Sequence, residues 1–442
     1  MSQRPGFVLE VDRSTPPTLF MHGEGFKLER LPVGSRIIYP AEAVPTIKDP
    51  DAAIRHALEH PIGQDPLREQ LFPGMKLTIA FDDISLPLPP MQRPDIRQRV
   101  IEAVLDVAAE CGVDDVHLIA ALALHRRMTE AELRHALGDR IYDAFAPNGT
   151  LYNHDAEDPE NLAFIGETPH GEEVEINKRA AESDLLIYVN INLVSMDGGH
   201  KSTATGLSSY KSLRHHHNVK TMQHSKSFMD RHASELHSSN WRMGEVIRKA
   251  GIKIFQIETT LNNDTFPKPF DFLQKREWEW GAKDRATFLA SSKALDRTPA
   301  RLKNQIFNSI KAPHDMTSVQ CGDIEQVHEI TTAKVWEQQL VQVEGQSDIL
   351  TMGLPYICPY NVNSIMNPIL VACLGLGYFF NMYRGKPLVR EGGVVIMSHP
   401  TPWSFHPVHH PSYIDFFEQV LSETKDPIEI EKTYEKSFAE DE

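Results

Sequence analysis

The strongest constraint on this chain is an alternation of strand-like and helix-like segments. MKLTIAFDD reads as a β-strand ending in acids, RPDIRQRVIEAVLDVAAECG as a helix, DDVHLIAALALH as a second strand and MTEAELRHALG as a short helix. In the first helix Ile96, Val100, Ile101, Val104, Leu105 and Ala108 recur on one face, and Gly112 marks its end. Thr129 and Glu132 are spaced as a capping box for the second. SDLLIYVNINLV and GIKIFQIETTLN are two further strands. Parallel neighbours need long crossovers, so strands and helices in alternation predict βαβ units with helices on both faces of a sheet.

A chain of 442 residues exceeds one ordinary core, and two domains are expected. The fold class is α/β, each domain carrying a mainly parallel sheet flanked by helices, with the active site in the cleft between them. Residues 1–270 form the larger domain and 271–410 the smaller, which closes over the site. The segment 268–311 reads as connecting helices or a linker. TAKVWEQQLVQVEGQSDILTMGLP, the apolar helix PILVACLGLGYFF and the strand EGGVVIMSHP build the second unit. The last stretch, 411–442, is an amphipathic helix with a charged end that packs back on the first domain.

With 45 Lys and Arg against 61 Asp and Glu, the net charge of −16 argues against nucleic-acid binding, which needs a basic face. No apolar run reaches the ~18 residues of a membrane span, and no signal-peptide core is evident at the N-terminus. The four cysteines lack CxxC spacing, which indicates neither a zinc site nor a disulfide scaffold. A cytoplasmic protein without a membrane partner is the expectation.

In open α/β sheets, ligands bind beyond the carboxyl ends of the strands. The segments there are FDDISLPLPP, ALALHRRMTE and NLVSMDGGHKS, which bring Asp82, Asp83, His125 and Lys201 to the same end of the sheet. Lys201 follows the pair Gly198–Gly199 and precedes the run His215–His216–His217. Glycines let backbone approach a ligand closely. A lysine serves as point charge, base or covalent attachment site, and histidine as metal ligand or proton carrier.

Taken together, these motifs resemble the lactate racemase family of nickel-pincer-nucleotide enzymes. The likeness is carried by D-x-[ST] at a strand end, A-x-x-x-H-R-x-M-T-x-x-E-L, then N-H-D, G-x-T-x-x-G, G-G-x-K and a histidine sixteen residues after that lysine, over residues 75–220. GLP at 353–355 and EGGVVIM at 391–397 continue it. The resemblance implies a racemase or epimerase of a 2-hydroxy acid. Its cofactor would be a Ni(II)-pyridinium-3,5-bisthiocarboxylic acid mononucleotide, made by cofactor-biosynthesis proteins of the host. Lys201 matches the attachment lysine and His217 the nickel ligand. Asp83, Ile84, Ser85 and Leu86 match the cofactor-contacting strand end. His125 matches one of two histidines that exchange the substrate hydroxyl proton while the C2 hydrogen moves as hydride to the pyridinium. Asn153, His154, Asp155 and IGETPHGEEVEIN match motifs of structural role.

The chain departs from that family in three places. Leu86 stands where the family has an arginine. NINLVSMDGG lacks the second catalytic histidine, for which His200 is the first substitute, followed by His215, His216 and the late cluster His399, His406, His409 and His410. The glutamine and lysine that bind the substrate carboxylate have no match in PYNVNSIMNPILVA. These departures imply a substrate other than lactate. They leave two alternatives: a one-sided redox enzyme using the same cofactor, or a cofactor-free relative that binds a nucleotide or metabolite.

Overall fold

A computed structural model describes residues 4–86, 88–361, 364–439 and 441. Its centre is a six-stranded sheet. The strands are β1 (Lys76–Asp82), β2 (Asp115–Ala121), β3 (Leu151–Asn153), β4 (Leu185–Asn192), β5 (Ile254–Leu261) and β6 (Met316–Gly322), in the order β6-β5-β4-β1-β2-β3. All neighbours pair in parallel except β5 and β6. Every residue of β4 is buried, which an apolar strand tolerates when helices cover both faces.

On one face pack α1 (Pro50–Glu59), α2 (Ile96–Glu110) and α3 (Glu130–Phe145), burying Ile54, Val100, Ile101 and Leu137 against Ile79, Phe81 and Ile187. On the other lie α4 (Lys201–Gly206), α5 (Glu235–Lys249) and α6 (Ile324–Gln339), whose contacts include Ala204, Met243 and Ile247 around Val174 and Ile176. Thr129 and Glu132 form the capping box that starts α3. That helix breaks at Gly138, whose φ of 81° lies in the left-handed region, and resumes to Phe145.

A second body holds the parallel pair Ser347–Gly353 with Val389–Ser398 and a small core of Leu354, Cys358, Met366, Leu370 and Leu374. The hairpin Thr18–Met21 with Phe26–Glu29 leans on it, and Gly23 N–H donates to Leu354 O at 2.9 Å. Leu19 N–H and Tyr39 Oη donate to Glu277 at 2.7 and 2.6 Å. These contacts, and the entry of β6 into the main sheet, cross the boundary expected near residue 270. The helix Pro427–Ala439 lies against Val219–His224, with Tyr210 Oη donating to Glu435 at 2.9 Å. No described helix is long and apolar enough to cross a membrane.

The buried carboxylate of Glu172 fastens α5 to this frame. It accepts from Arg242 Nε and Nη2 at 2.8 and 2.6 Å, Ser239 Oγ at 2.6 Å and Thr168 Oγ1 at 2.7 Å. Burial alone would raise its proton affinity, but these donors hold it down to about 2. A carboxyl depressed on folding adds stability above its unfolded value, and that stability is lost as pH falls through the folded one. Glu172→Ala should therefore lower the unfolding free energy by about 3 kcal/mol at neutral pH. Urea denaturation followed across pH should show the difference from the parent chain shrinking as pH falls from about 4.5 towards about 2.

Candidate active site

The end of β1 is fixed from below. Arg97, buried on the first turn of α2, donates through Nη1 to the carbonyls of Asp82 and Asp83 at 3.1 and 2.6 Å. Its remaining nitrogens grip Asp95 at 2.9 and 2.8 Å. Strand alternation then sends the two aspartates in opposite directions. Asp83 turns to the loop after β2, where its Oδ2 lies 3.0 Å from His125 Nδ1, while Oδ1 accepts from Ser85 N at 3.0 Å and Ser85 Oγ at 2.5 Å. Burial would raise the Asp83 carboxyl, but His125 and Ser85 hold it below the usual range.

Asp82 turns instead to β4. It accepts from Ile191 N at 2.7 Å, Asn190 Nδ2 at 2.8 Å and Tyr188 Oη at 3.2 Å. Burial wins over these donors, helped by the charges of Asp197 and Asp83, and pushes the carboxyl up to about 7. Asp82, Asp83, Ser85, Leu86, His125 and Lys201 all line one cavity of about 100 Å³, with Asp197 and Gly198 also in its wall.

Lys201 opens α4, and its Nζ lies 3.5 Å from Asp197 Oδ1. His217 follows the turn after Tyr210–Leu213, with its Nδ1 2.8 Å from that of His216. The His217 residue is exposed to solvent. Desolvation of its ring, then the charges of Lys201 and His125, lower its affinity for protons.

His200 does not join them. Its ring packs on Gly244 of α5, and its Nε2 lies 3.2 Å from Glu325 Oε1 at the start of α6. A helix turns about 100° per residue, so the neighbour of an inward lysine points elsewhere. Ile84 lines a second cavity of about 250 Å³, which shares Asp83 and Leu86 with the first and is closed by Lys311, Ile357 and Cys358. His215 pairs outward with Glu173 at 3.7 Å. Of the late histidines, His410 Nε2 holds the carbonyl of Tyr360 at 2.9 Å, and the Tyr360 ring lies 5.5 Å from that of His125. Asn153 bonds both backbone groups of Met128, at 3.0 and 2.9 Å, and His154 bonds Ser208 O at 2.9 Å, so the N-H-D motif steadies the loop behind His125.

Sequence reasoning placed Asp82 at the strand end without giving it a role. Only its three donors and its desolvation mark it as a group that titrates near neutrality. It missed Tyr360 altogether, because nothing in PYNVNS ties that ring to a histidine more than two hundred residues away.

Strand ends that bring a carboxylate-held imidazole and a glycine-flanked lysine to one cavity define an α/β protein with a ligand-binding centre. Residues 25–230 match the lactate racemase N-terminal domain. Lactate racemases of Lactiplantibacillus plantarum and Thermoanaerobacterium thermosaccharolyticum are 29% and 27% identical over 168 and 173 residues, in each case 37% of this chain and 37% of the relative. Residues 25–230 are thus similar to the lactate racemase family at a divergent level, and the match spans little more than a third of those relatives' length. The structure of the lactate racemase apoprotein from T. thermosaccharolyticum shares the fold, with a TM-score of 0.51 at 20% identity over 76% of this chain and 65% of that one.

Lys201 is among the causes that depress His217. Lys201→Met should therefore raise the pH at which the His217 ring titrates, read from its ring carbon resonance. A midpoint unmoved by the substitution would place the lysine's charge away from that imidazole.

Proposed function

We propose that this protein is a racemase or epimerase of a 2-hydroxy acid other than lactate, dependent on a nickel-pincer nucleotide attached through Lys201. The observation that carries this reading is that Lys201 and the Asp83-held His125 line one cavity, with His217 near enough for both their charges to lower its proton affinity. The donor set fits the group. Among the described residues Lys201 pairs with Asp197 through one long contact, and the depressed His217 offers a neutral imidazole at neutral pH. Among the described residues, no three His, Cys, Asp or Glu side chains are arranged to hold a metal by themselves. A nickel ion held here by one histidine needs its other donors from the organic group, whose soft sulfur and carbon atoms suit it. When bound, that group supplies an electron sink for the C2 hydrogen, which is otherwise not removable at neutral pH.

The chain's own part is proton handling and shelter. Asp83 holds His125 Nδ1, which leaves Nε2 for the substrate hydroxyl, the arrangement of an oriented general base. The Tyr360 ring lies 5.5 Å from that imidazole, tilted 59° to it, and would limit the approach of water on that side. Inversion needs a proton-exchanging group on the second face, and Asp82, in the cavity wall and pushed up to about 7, is the candidate. Leu86, an apolar wall shared by both cavities, favours a substrate with more body than lactate. The same reading takes the second body, with the paired strands Ser347–Gly353 and Val389–Ser398, as the domain closing over the site, and the protein as cytoplasmic.

One observation favours a second reading. With His200 turned away, His125 is the one imidazole in the wall of the cavity among the described residues. A one-sided redox enzyme using the same group would need no more. Chiral analysis of the product separates the two, because a racemase yields both hands and the redox enzyme a keto acid or a single hand.

The test is expression in a host that makes the nucleotide, followed by intact mass, nickel content and turnover of a panel of 2-hydroxy acids. The parent chain should carry a nucleotide-sized added mass, and Lys201→Ala should lose it while remaining folded. His217→Ala should keep the added mass with reduced nickel. His125→Ala should keep both and lose about 10²–10⁴ in turnover. Full added mass on the Lys201 variant would rule out the attachment.

A further inference from the structure

The Gly198–Gly199 turn that delivers Lys201 rests on a carboxylate with no solvent exposure. Glu258, on β5, accepts from Gly199 N at 2.7 Å and from Gln256 Nε2 at 3.3 Å, and its carboxylate lies 3.2 Å from His328 Nδ1 on α6. Both glycines have positive φ, 85° and 60°. A Cβ on Gly198 would stand 2.5 Å from Glu258 Oε1 and 2.4 Å from Asn192 Oδ1, and one on Gly199 would stand 2.9 Å from the His328 ring. The turn is thus pressed flat against the carboxylate–imidazole pair, which explains why both positions are glycine.

Helix α6 holds the same segment at two further points. Glu325 takes His200 Nε2 at 3.2 Å and Trp241 Nε1 at 2.8 Å, and the Gln339 amide donates to Leu193 O. The His328 ring is backed by His237, with centroids 6.2 Å apart and planes 19° from parallel, and its Nε2 lies 3.4 Å from Thr332 Oγ1. Gln256 extends the grip into α4 through Ser202 Oγ at 3.1 Å. A fully buried carboxylate is costly unless it is paired and hydrogen-bonded, and here each partner belongs to the lysine's turn or to the elements that clasp it.

We propose that Glu258 and His328 are positioning residues for Lys201, a buried clamp that fixes the Gly198–Gly199 turn and, with it, the direction of the lysine side chain. The inference rests on the reading of Lys201 as the reactive lysine, but its test uses the full chain without any nucleotide. Two quantities are measured: exchange of the Gly199 amide, and the rate at which acetic anhydride modifies Lys201 relative to the exposed Lys178 and Lys293.

Glu258→Ala should speed Gly199 exchange about ten-fold, the equivalent of one lost hydrogen bond. It should also change the relative rate at Lys201 while the two reference lysines keep theirs. Glu258→Gln, which retains an acceptor for Gly199 N–H, should restore both quantities to near the parent values. His328→Phe, which keeps ring volume without the bond to the carboxylate, should alter both in the same direction as Glu258→Ala, and it decides the matter if the alanine variant does not fold. Unchanged Lys201 reactivity in a folded Glu258→Ala or His328→Phe chain would overturn the proposal, as would a Gln variant no better than Ala. Failure of cofactor attachment in the parent chain would instead sink the functional reading and leave these results standing.

Discussion

Everything at this site hangs from one buried guanidinium. Arg97 is nearly removed from solvent, yet its charge is met by Asp95 and its spare donors by the carbonyls of Asp82 and Asp83. A buried ion pair adds little net stability when compared with an apolar replacement, but breaking it by removing one partner is costly. Its value here is directional. Arg97 supplies donors to the two carbonyls where β1 ends. With that end fixed, the two aspartates cannot exchange places: one is committed to His125 and the other to β4.

The consequence is a pair of adjacent carboxyls with opposed proton affinities. Asp83 has an imidazole and a hydroxyl to hold its charge and sits below the usual range, whereas Asp82, facing the negative charges of Asp197 and Asp83 from a desolvated wall, rises to about 7. Environments that push two like groups apart are how one cavity obtains both a fixed anion and a group that changes charge near neutral pH. Arg97 makes the split possible, since without its fixed carbonyls neither environment would be held.

The central sheet was legible because its chemistry is local. β1, β2, β4 and β5 are apolar runs of the right length, and the amphipathic face of α2 buries Ile96, Val100, Ile101, Val104 and Ala108 as its periodicity indicates. β6 was not, because MTSVQCG is a polar edge strand that pairs antiparallel and carries no signal beyond its neighbours. The N-terminal hairpins went unread for a similar reason: FVLE and FKLE are too short to show a period. At the site, residue types and spacing located Asp83, His125 and Lys201, whose backbones lie at strand or helix ends. They could not orient His200, because adjacency in sequence says nothing of direction at the start of a helix. Nor could they find Glu258 and His328, whose partners are separated from them by about sixty to seventy positions along the chain.

The polar groups of the cavity come from the strand ends and from the turn and helix that carry Asp197, Lys201, Ser202 and Thr205, and its cover comes from elsewhere. Tyr360 reaches the His125 ring from the second body, tethered by His410 at its carbonyl and by Tyr378 at its hydroxyl, 2.7 Å away. Ile357 and Cys358 close the neighbouring cavity from the same stretch. Chemistry and access are therefore set by different parts of the chain. The sheet residues are bound to one another through buried, charge-matched bonds that leave little freedom, whereas the cover touches them through an aromatic face and apolar contacts, which lack fixed geometry. Substitution in the cover can reshape what enters the cavity without disturbing Arg97, Asp83 or His125. Leu86, the apolar residue at the joint of the two cavities, stands where frame and cover meet.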